Sequence, residues 1–224
     1  MLTDRSVGEE RSGKVGMKMS RREEIIKVAT RLFARKGFCQ TAVSEVAKEA
    51  GVAQGTVFHH FKSKQNLLAA ICDDLIQEYI RGIRDAASGE GTGWETVERV
   101  LKFSQEFRKR RSESLVVAFR ETGSDERRDP GLNEYFQGLM EQVLEVKEKC
   151  ILRGLADGSI RQVPSRETAL IVHALLVGVL FLDSQGLLSL PDLDKDVQTF
   201  CRRSLAAGGG PPEVGKTGDA KGSF

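Results

Sequence analysis

The stretch Gly51-Val52-Ala53-Gln54-Gly55-Thr56-Val57-Phe58-His59-His60-Phe61-Lys62-Ser63-Lys64 decides how this chain is read. Before it, residues 41–50 carry Val43, Val46, Ala47 and Ala50 at the spacing of one helical face. Gly51 breaks that pattern, and a second short helix over about 53–61 turns Val57 and Phe61 inward. Ala47 sits where the two helices cross and must be small. Gly51, four residues on, holds the turn, where a left-handed backbone is easiest for glycine. Val57, six residues later, packs back onto the first helix. Small residue, glycine and branched apolar residue at this spacing mark a helix-turn-helix. Its second helix projects the opposite face outward, and in DNA-binding versions that face enters the major groove.

The outward face carries Gln54, Thr56, His59 and His60, and no acidic residue lies between Gly51 and Phe61. Gln can pair with adenine through two hydrogen bonds, Thr can meet a thymine methyl, and His can donate to guanine or phosphate. Gly55 lets the backbone approach a phosphate. Thr41 and Ser44 offer hydroxyls at the start of the preceding helix, beside amides that suit phosphate. Lys64 adds a cation at the same level, with Lys62, Arg21 and Arg22 around it. His59 and His60 point about 100° apart on a helix, so they are poorly placed to share a metal. Each is open to a DNA contact or to plain exposure. With three histidines in the chain, no metal site and no cofactor are expected.

Charge is compatible with an anionic partner at this end, though a solvated charged face is the commoner reading of such an asymmetry. Residues 1–65 hold 13 Lys/Arg against 7 Asp/Glu, and the remainder holds 21 against 25, beneath a net charge of +2. Hydrophobic residues make up 40% and charged residues 29% of the 224, which fits a soluble globular chain with a sizeable core. Proline is scarce, at 5, and alternating apolar runs are hard to find, so helices are favoured throughout. Residues 169–182 form the longest apolar run, interrupted by His173, and a membrane span needs about 20 residues. Residues 1–19 lack the apolar centre of a signal peptide. The cysteines at 39, 72, 150 and 201 lie too far apart for a paired motif and suggest a reducing cytoplasm. Cys39 is read as an inert small residue.

Working outward, the sequence predicts an all-α chain of about nine helices. Residues 1–19 and 207–224 read as disordered tails. Ser20, with Glu23 as a capping box, opens a helix that Gly37 ends. Ser63 caps a long helix over 64–87, with Leu67, Leu68, Ile71, Leu75, Tyr79 and Ile83 on its apolar face. Further helices are predicted over 94–111, 114–122, 131–156, 165–187 and 194–206. The helix through residues 169–182 is apolar nearly all round and must be buried on several sides. A self-complementary dimer interface meets that need, with Ala174 and Gly178 as a small-residue strip and Phe181 on the same helix. Val197, Phe200, Cys201 and Leu205 of the last helix would complete a four-helix bundle across the twofold. A monomer with a large core is the alternative. His173 is read as a core or interface histidine bonded to a neighbour.

The segment 51–64 resembles the recognition segment of the tetracycline-repressor (TetR-like) family of bacterial transcriptional regulators. Ala29 to Phe38 resembles that family's first helix and Gly-Phe end, and Thr41 to Ala50 its second helix. The resemblance covers about residues 21–75. It implies a three-helix DNA-binding domain over 20–65 and a larger ligand-binding and dimerisation domain over 66–206. It also implies a homodimer on a double-stranded operator, most often a repressor released by a small molecule. Two positions depart from the family pattern. Ala53 stands where a Ser or Thr usually caps the reading helix, at a local cost of about 1 kcal/mol. Phe58 stands where a Tyr hydroxyl usually meets phosphate.

A ligand cavity is implied by the family and permitted by the residues. Trp94, Phe103, Phe107, Phe119, Tyr135, Phe136, Met140, Leu144 and Phe181 are its candidate walls, although residues at such helical spacing are more often core than cavity. No charged cluster marks the pocket, so an apolar or amphipathic effector is expected. The long fourth helix starts two residues after the reading helix and runs into the sensing part. A ligand against its far end could tilt it and change the spacing of two reading helices. Rival readings are an activator or weakly specific DNA binder of the same fold, and a helical carrier or enzyme. No nucleophile arrangement, paired carboxylates or phosphate-binding loop supports an enzyme.

Overall fold

The computed structural model describes residues 19–122, 130–184 and 193–208. Residues 1–18 and 209–224 of the two tails, and residues 123–129 and 185–192 between predicted helices, lie outside the described residues. Among those described, the chain forms nine helices: α1 (Arg21–Lys36), α2 (Val43–Glu49), α3 (Gln54–Phe61), α4 (Lys64–Ala87), α5 (Gly93–Arg110), α6 (Ser112–Thr122), α7 (Pro130–Asp157), α8 (Ser165–Ser184) and α9 (Leu193–Leu205).

Local chemistry sets the helix starts. Ser20 Oγ accepts from Glu23 N at 3.2 Å while Ser20 N donates to Glu23 Oε2 at 2.7 Å, the reciprocal box expected there. Thr92 and Glu95 repeat it at the start of α5. The two hydrogen bonds from Thr92 hold the Glu95 carboxyl below its ordinary pKa. Ser63 Oγ accepts from Asn66 N at 3.0 Å and opens α4. Helix α2 is shorter than predicted: Ala42 is its extended N-cap and Thr41 lies outside it.

Two apolar clusters organise the packing. The first joins Ile25, Ala29, Leu32 and Phe33 of α1 to Val46 and Ala47 of α2, and to Val57 and Phe61 of α3. It also takes Leu67 and Ile71 from α4 and Val117 from α6. The second gathers Ile80 and Ile83 of α4 with residues of α5, α7, α8 and α9. Helix α4 thus belongs to both clusters, and α6 reaches back to the first from outside the sequence of the helix-turn-helix.

Helices α5 and α7 meet at glycines. A Cβ on Gly93 would lie 2.0 Å from the backbone N of Gly154, so this approach requires glycine at 93. Gly93 N donates to Asp157 Oδ2 at 2.6 Å and Trp94 N to Ser159 Oγ at 3.0 Å, which pins the start of α5 to the end of α7. Beyond α7, Arg161 N donates to Leu205 O and Ala207 N to Ser159 O, both at 2.9 Å, tying the α7–α8 link to the end of α9.

Candidate nucleic-acid interface and effector cavity

Helices α2 and α3 form the helix-turn-helix that the spacing of Ala47, Gly51 and Val57 predicts. Gly51 turns with φ +63°, and Val52 N donates to Ala47 O at 3.0 Å. Ala47 and Val57 are buried between the two helices and α1. The opposite face of α3 is open: Gln54, Gly55, His59 and His60 are exposed, and Thr56 is half-buried. Ala53 makes no side-chain cap bond, and Phe58 is exposed.

The junction to α4 is tight. Lys62 has φ +63°, a strained value for a residue with a Cβ, and Ser63 N donates to Phe61 O at 2.7 Å. Helix α3 is therefore joined to α4 by only two residues, 62 and 63.

Cations gather on this side, and the nearby acids are engaged. Glu45 pairs with Lys36, and Glu49 pairs with Arg31 at 2.5 Å. Lys64 Nζ lies 4.4 Å from the Phe38 ring centroid and 3.4 Å from Cys39 O, so it sits over the α1–α2 turn. Arg22 lies over the Phe61 ring at 5.5 Å. Ser44 is exposed in the first turn of α2, as expected. Thr41 is not. It is 1% exposed, and its hydroxyl donates to Gly37 O at 2.9 Å. The carbonyl at the end of α1 takes that donor, so the Thr41 hydroxyl serves the turn and does not stand on the surface as expected.

Behind the first cluster lies a cavity of about 300 Å³. Leu75, Ile76 and Tyr79 of α4 form part of its wall, with Phe107 of α5, Leu115, Ala118 and Phe119 of α6, and Met140 and Val143 of α7. Leu176, Val179 and Leu180 of α8 and Val197 of α9 close it. Of the predicted walls, Phe107, Phe119 and Met140 are in place.

The others are elsewhere, each for a packing reason. Trp94 is buried at the α5 start, its ring under the Arg202 guanidinium at 5.7 Å. Phe103 fills the space left by Gly82, where a Cβ would lie 1.9 Å from its ring. Tyr135 is exposed and donates to Asp73 Oδ1 at 2.7 Å, which raises its phenol pKa. Phe136 packs against the second cluster, and Leu144 is half-buried off the cavity wall.

Phe181 lies on the outer side of α8, with Leu170, Ile171, Ala174, Gly178 and Leu182, all exposed. A Cβ on Gly178 would meet nothing within 4 Å among the described residues. The span Ser165–Asp183 is long and apolar enough to match a membrane crossing, yet its inner side here is cavity wall. Phe200 of α9 is 58% exposed. Val197 and Cys201, predicted at a dimer interface, face inward instead, 4% and 2% exposed in the protomer's own core. Burial pushes the Cys201 thiol up to about 11.

The sequence reading missed the polar part of the cavity. Tyr79, Ser104, Gln105, Arg108, His173 and Asp194 also line it. Ser104 Oγ donates to Val100 O at 2.7 Å, so the 2.8 Å contact with Tyr79 has the phenol as donor. Arg108 pairs with Asp183 and with Asp194 at 2.9 Å. Lys147 is 4% exposed, with Nζ 3.0 Å from His173 Nδ1. Burial, and then the Lys147 charge, push the His173 imidazole down to about 3, so it is neutral at physiological pH. A lysine in a long amphipathic helix reads as solvated, and no spacing in α7 distinguishes this one.

The geometry has close counterparts. The family model of bacterial regulatory proteins, tetR family, matches residues 25–71. The HTH-type transcriptional repressor KstR2 of Rhodococcus jostii is 30% identical over 153 residues, covering 67% of this chain and 71% of that protein. YvdT of Bacillus subtilis, an HTH-type transcriptional regulator, is 22% identical over 187 residues, 82% of this chain and 94% of that protein. In three dimensions, PfmR of Thermus thermophilus superposes with a TM-score of 0.70 at 19% identity, over 80% of this chain and 97% of that one. SmeT in its triclosan complex gives 0.71 at 20% identity, over 85% and 94%. With the helix-turn-helix, its exposed outer face and this degree of likeness, the chain belongs to the tetR family of DNA-binding transcriptional regulators.

Proposed function

We propose that this protein is a cytoplasmic homodimeric repressor whose operator grip is released when the cavity fills with an amphipathic small molecule. The observation that carries this reading is the double membership of two helices. Helix α4 gives Leu67 and Ile71 to the first cluster and Leu75, Ile76 and Tyr79 to the cavity wall. Helix α6 gives Val117 to the first cluster and Leu115, Ala118 and Phe119 to the wall, and Arg120 donates to Ala34 O of α1 at 3.1 Å. Occupancy of the cavity therefore acts on α1 and α3 through two connections, where the sequence suggested α4 alone.

In this reading residues 20–65 read DNA and residues 66–206 sense and dimerise. Gln54, Thr56, His59 and His60 supply base preference, and Ser44, Gly55 and Lys64 position the backbone. The exposed face of α8 through Ile171, Ala174, Gly178 and Phe181, extended by Phe200, meets the same face of a second copy. Two reading helices then enter successive major grooves.

The test is a cavity filled by mutation. Ala118→Phe enlarges a wall residue of α6. Operator affinity is expected to fall on the order of tenfold, a typical coupling energy, with the dimer intact by sedimentation. Unchanged affinity in a folded Ala118→Phe dimer would refute release through the cavity.

A further inference from the structure

We infer that the cavity holds its effector by an anionic head group, a carboxylate seated against the Lys147–His173 pair. The inference deepens the proposed effector site and rests on it.

The cavity wall is apolar over most of its extent, and its polar groups differ in what they have left to give. The Tyr79 hydroxyl hydrogen goes to Ser104, and that of Ser104 goes to Val100 O. Gln105 Nε2 donates to Asp194 O at 2.8 Å, and Gln105 Oε1 accepts from Gln198 at 2.6 Å. Arg108 is neutralised by Asp183 and Asp194. An anion would gain little from any of these.

Lys147 and His173 are different. The Lys147 ammonium is buried, and among the described residues no carboxylate pairs with it. The neighbouring acid Glu148 is taken by Arg166 and Ser165. Instead, Nζ lies 3.0 Å from His173 Nδ1 and 5.7 Å from the Tyr79 ring centroid. An ammonium has no lone pair, so Nδ1 is the acceptor and the neutral imidazole carries its hydrogen on Nε2. That Nε2–H has no acceptor among the described residues. It is also not sealed off. Trp94 Nε1 is the one described side-chain N or O atom that is both fully buried and without a partner. His173 therefore offers an accessible donor, backed by a buried positive charge, on a residue of the cavity wall.

A buried charge without a counter-ion is costly, and a ligand that supplies the counter-ion removes that cost. A carboxylate fits on both counts: it accepts from Nε2–H and compensates Lys147 through the ring. Leu75, Leu115, Phe119 and Leu180 then offer an apolar wall to the rest of the molecule. The effector class is a carboxylic acid with an aliphatic or aromatic body.

The experiment is isothermal calorimetry on the full-length protein without DNA, using decanoate and decanol as probes of equal chain length. Decanoate is expected to bind more tightly, on the order of tenfold or more, as for a charge-assisted bond. Lys147→Gln and His173→Leu are each expected to remove the preference while decanol binding stays. His173→Gln, which keeps a donor, is expected to retain part of it. Folding of each variant is checked by its thermal midpoint, and two independent positions guard against one failing to fold. Equal affinity for the two probes, no binding of either, or a preference that survives both substitutions would each overturn the inference. Because DNA is absent, decanoate that binds with the expected preference yet leaves operator affinity unchanged counts against release, not against the head-group site.

Discussion

Replacing His173 by glutamine should flatten the pH dependence of stability, and the structure sets the size of the effect. In the native protein burial and the Lys147 charge place the imidazole at about 3. In the unfolded chain it returns to about 6.5. Between those values the unfolded state takes up a proton that the native state refuses, so stability falls as pH falls. The contribution is complete above about pH 6.5 and is lost at roughly 1.4 kcal/mol per pH unit towards the folded value. Between about pH 6.5 and about pH 4.5 the loss is about 2 kcal/mol. His173→Gln has no such group. Urea unfolding of both proteins, at one fixed protein concentration and several pH values, gives the comparison. Carboxylates held low by hydrogen bonds, such as Asp157, also weaken the protein in acid, but they are common to both and cancel. The wild type should lose about 2 kcal/mol more than the variant over that range. Parallel stability curves would refute the burial of His173 against a charged Lys147.

Three further outcomes follow from the packing and the reading face. Gly93→Ala should cost about 1–3 kcal/mol in urea unfolding, because its Cβ would meet the Gly154 backbone and neither main chain can yield. Gly178→Leu should leave helical content unchanged, since none of the described residues is near, but shift sedimentation equilibrium towards monomer. Gln54→Ala should weaken operator binding more than binding to scrambled DNA, while Lys64→Ala should weaken both alike and flatten the salt slope. Equal losses for the last two on both DNAs would contradict the division between base reading and backbone positioning.

Much of the fold is legible in local signals. The caps at Ser20 and Ser63, the stop at Gly37 and the Ala47–Gly51–Val57 spacing each rest on chemistry confined to a few neighbouring residues. What periodicity cannot supply is the identity of the opposing surface. Val197 and Cys201 lie on an inward face as their spacing says, but that face meets the protomer's own core. Trp94 and Phe103 are apolar residues at helical spacing, and only the three-dimensional partners, Arg202 and Gly82, distinguish core from cavity. Thr41 looked like a surface hydroxyl because the end of α1 needs a donor that no pattern announces. Lys147 and His173 are 26 residues apart on different helices, so their pairing has no trace in the sequence of either. The link through α6 is hidden for the same reason: Val117 joins a cluster otherwise built from residues before 72.

The most direct test of the account is a binding titration. Duplexes selected from random sequence by the purified protein would be labelled and titrated beside a scrambled duplex of equal length, at several salt concentrations, with wild type and Gln54→Ala. The wild type is expected to bind the selected duplex much more tightly and with a steep salt dependence, and the variant to lose most of that discrimination. Equal weak binding to both duplexes, or a selected preference that Gln54→Ala leaves intact, would contradict α3 as the reading helix.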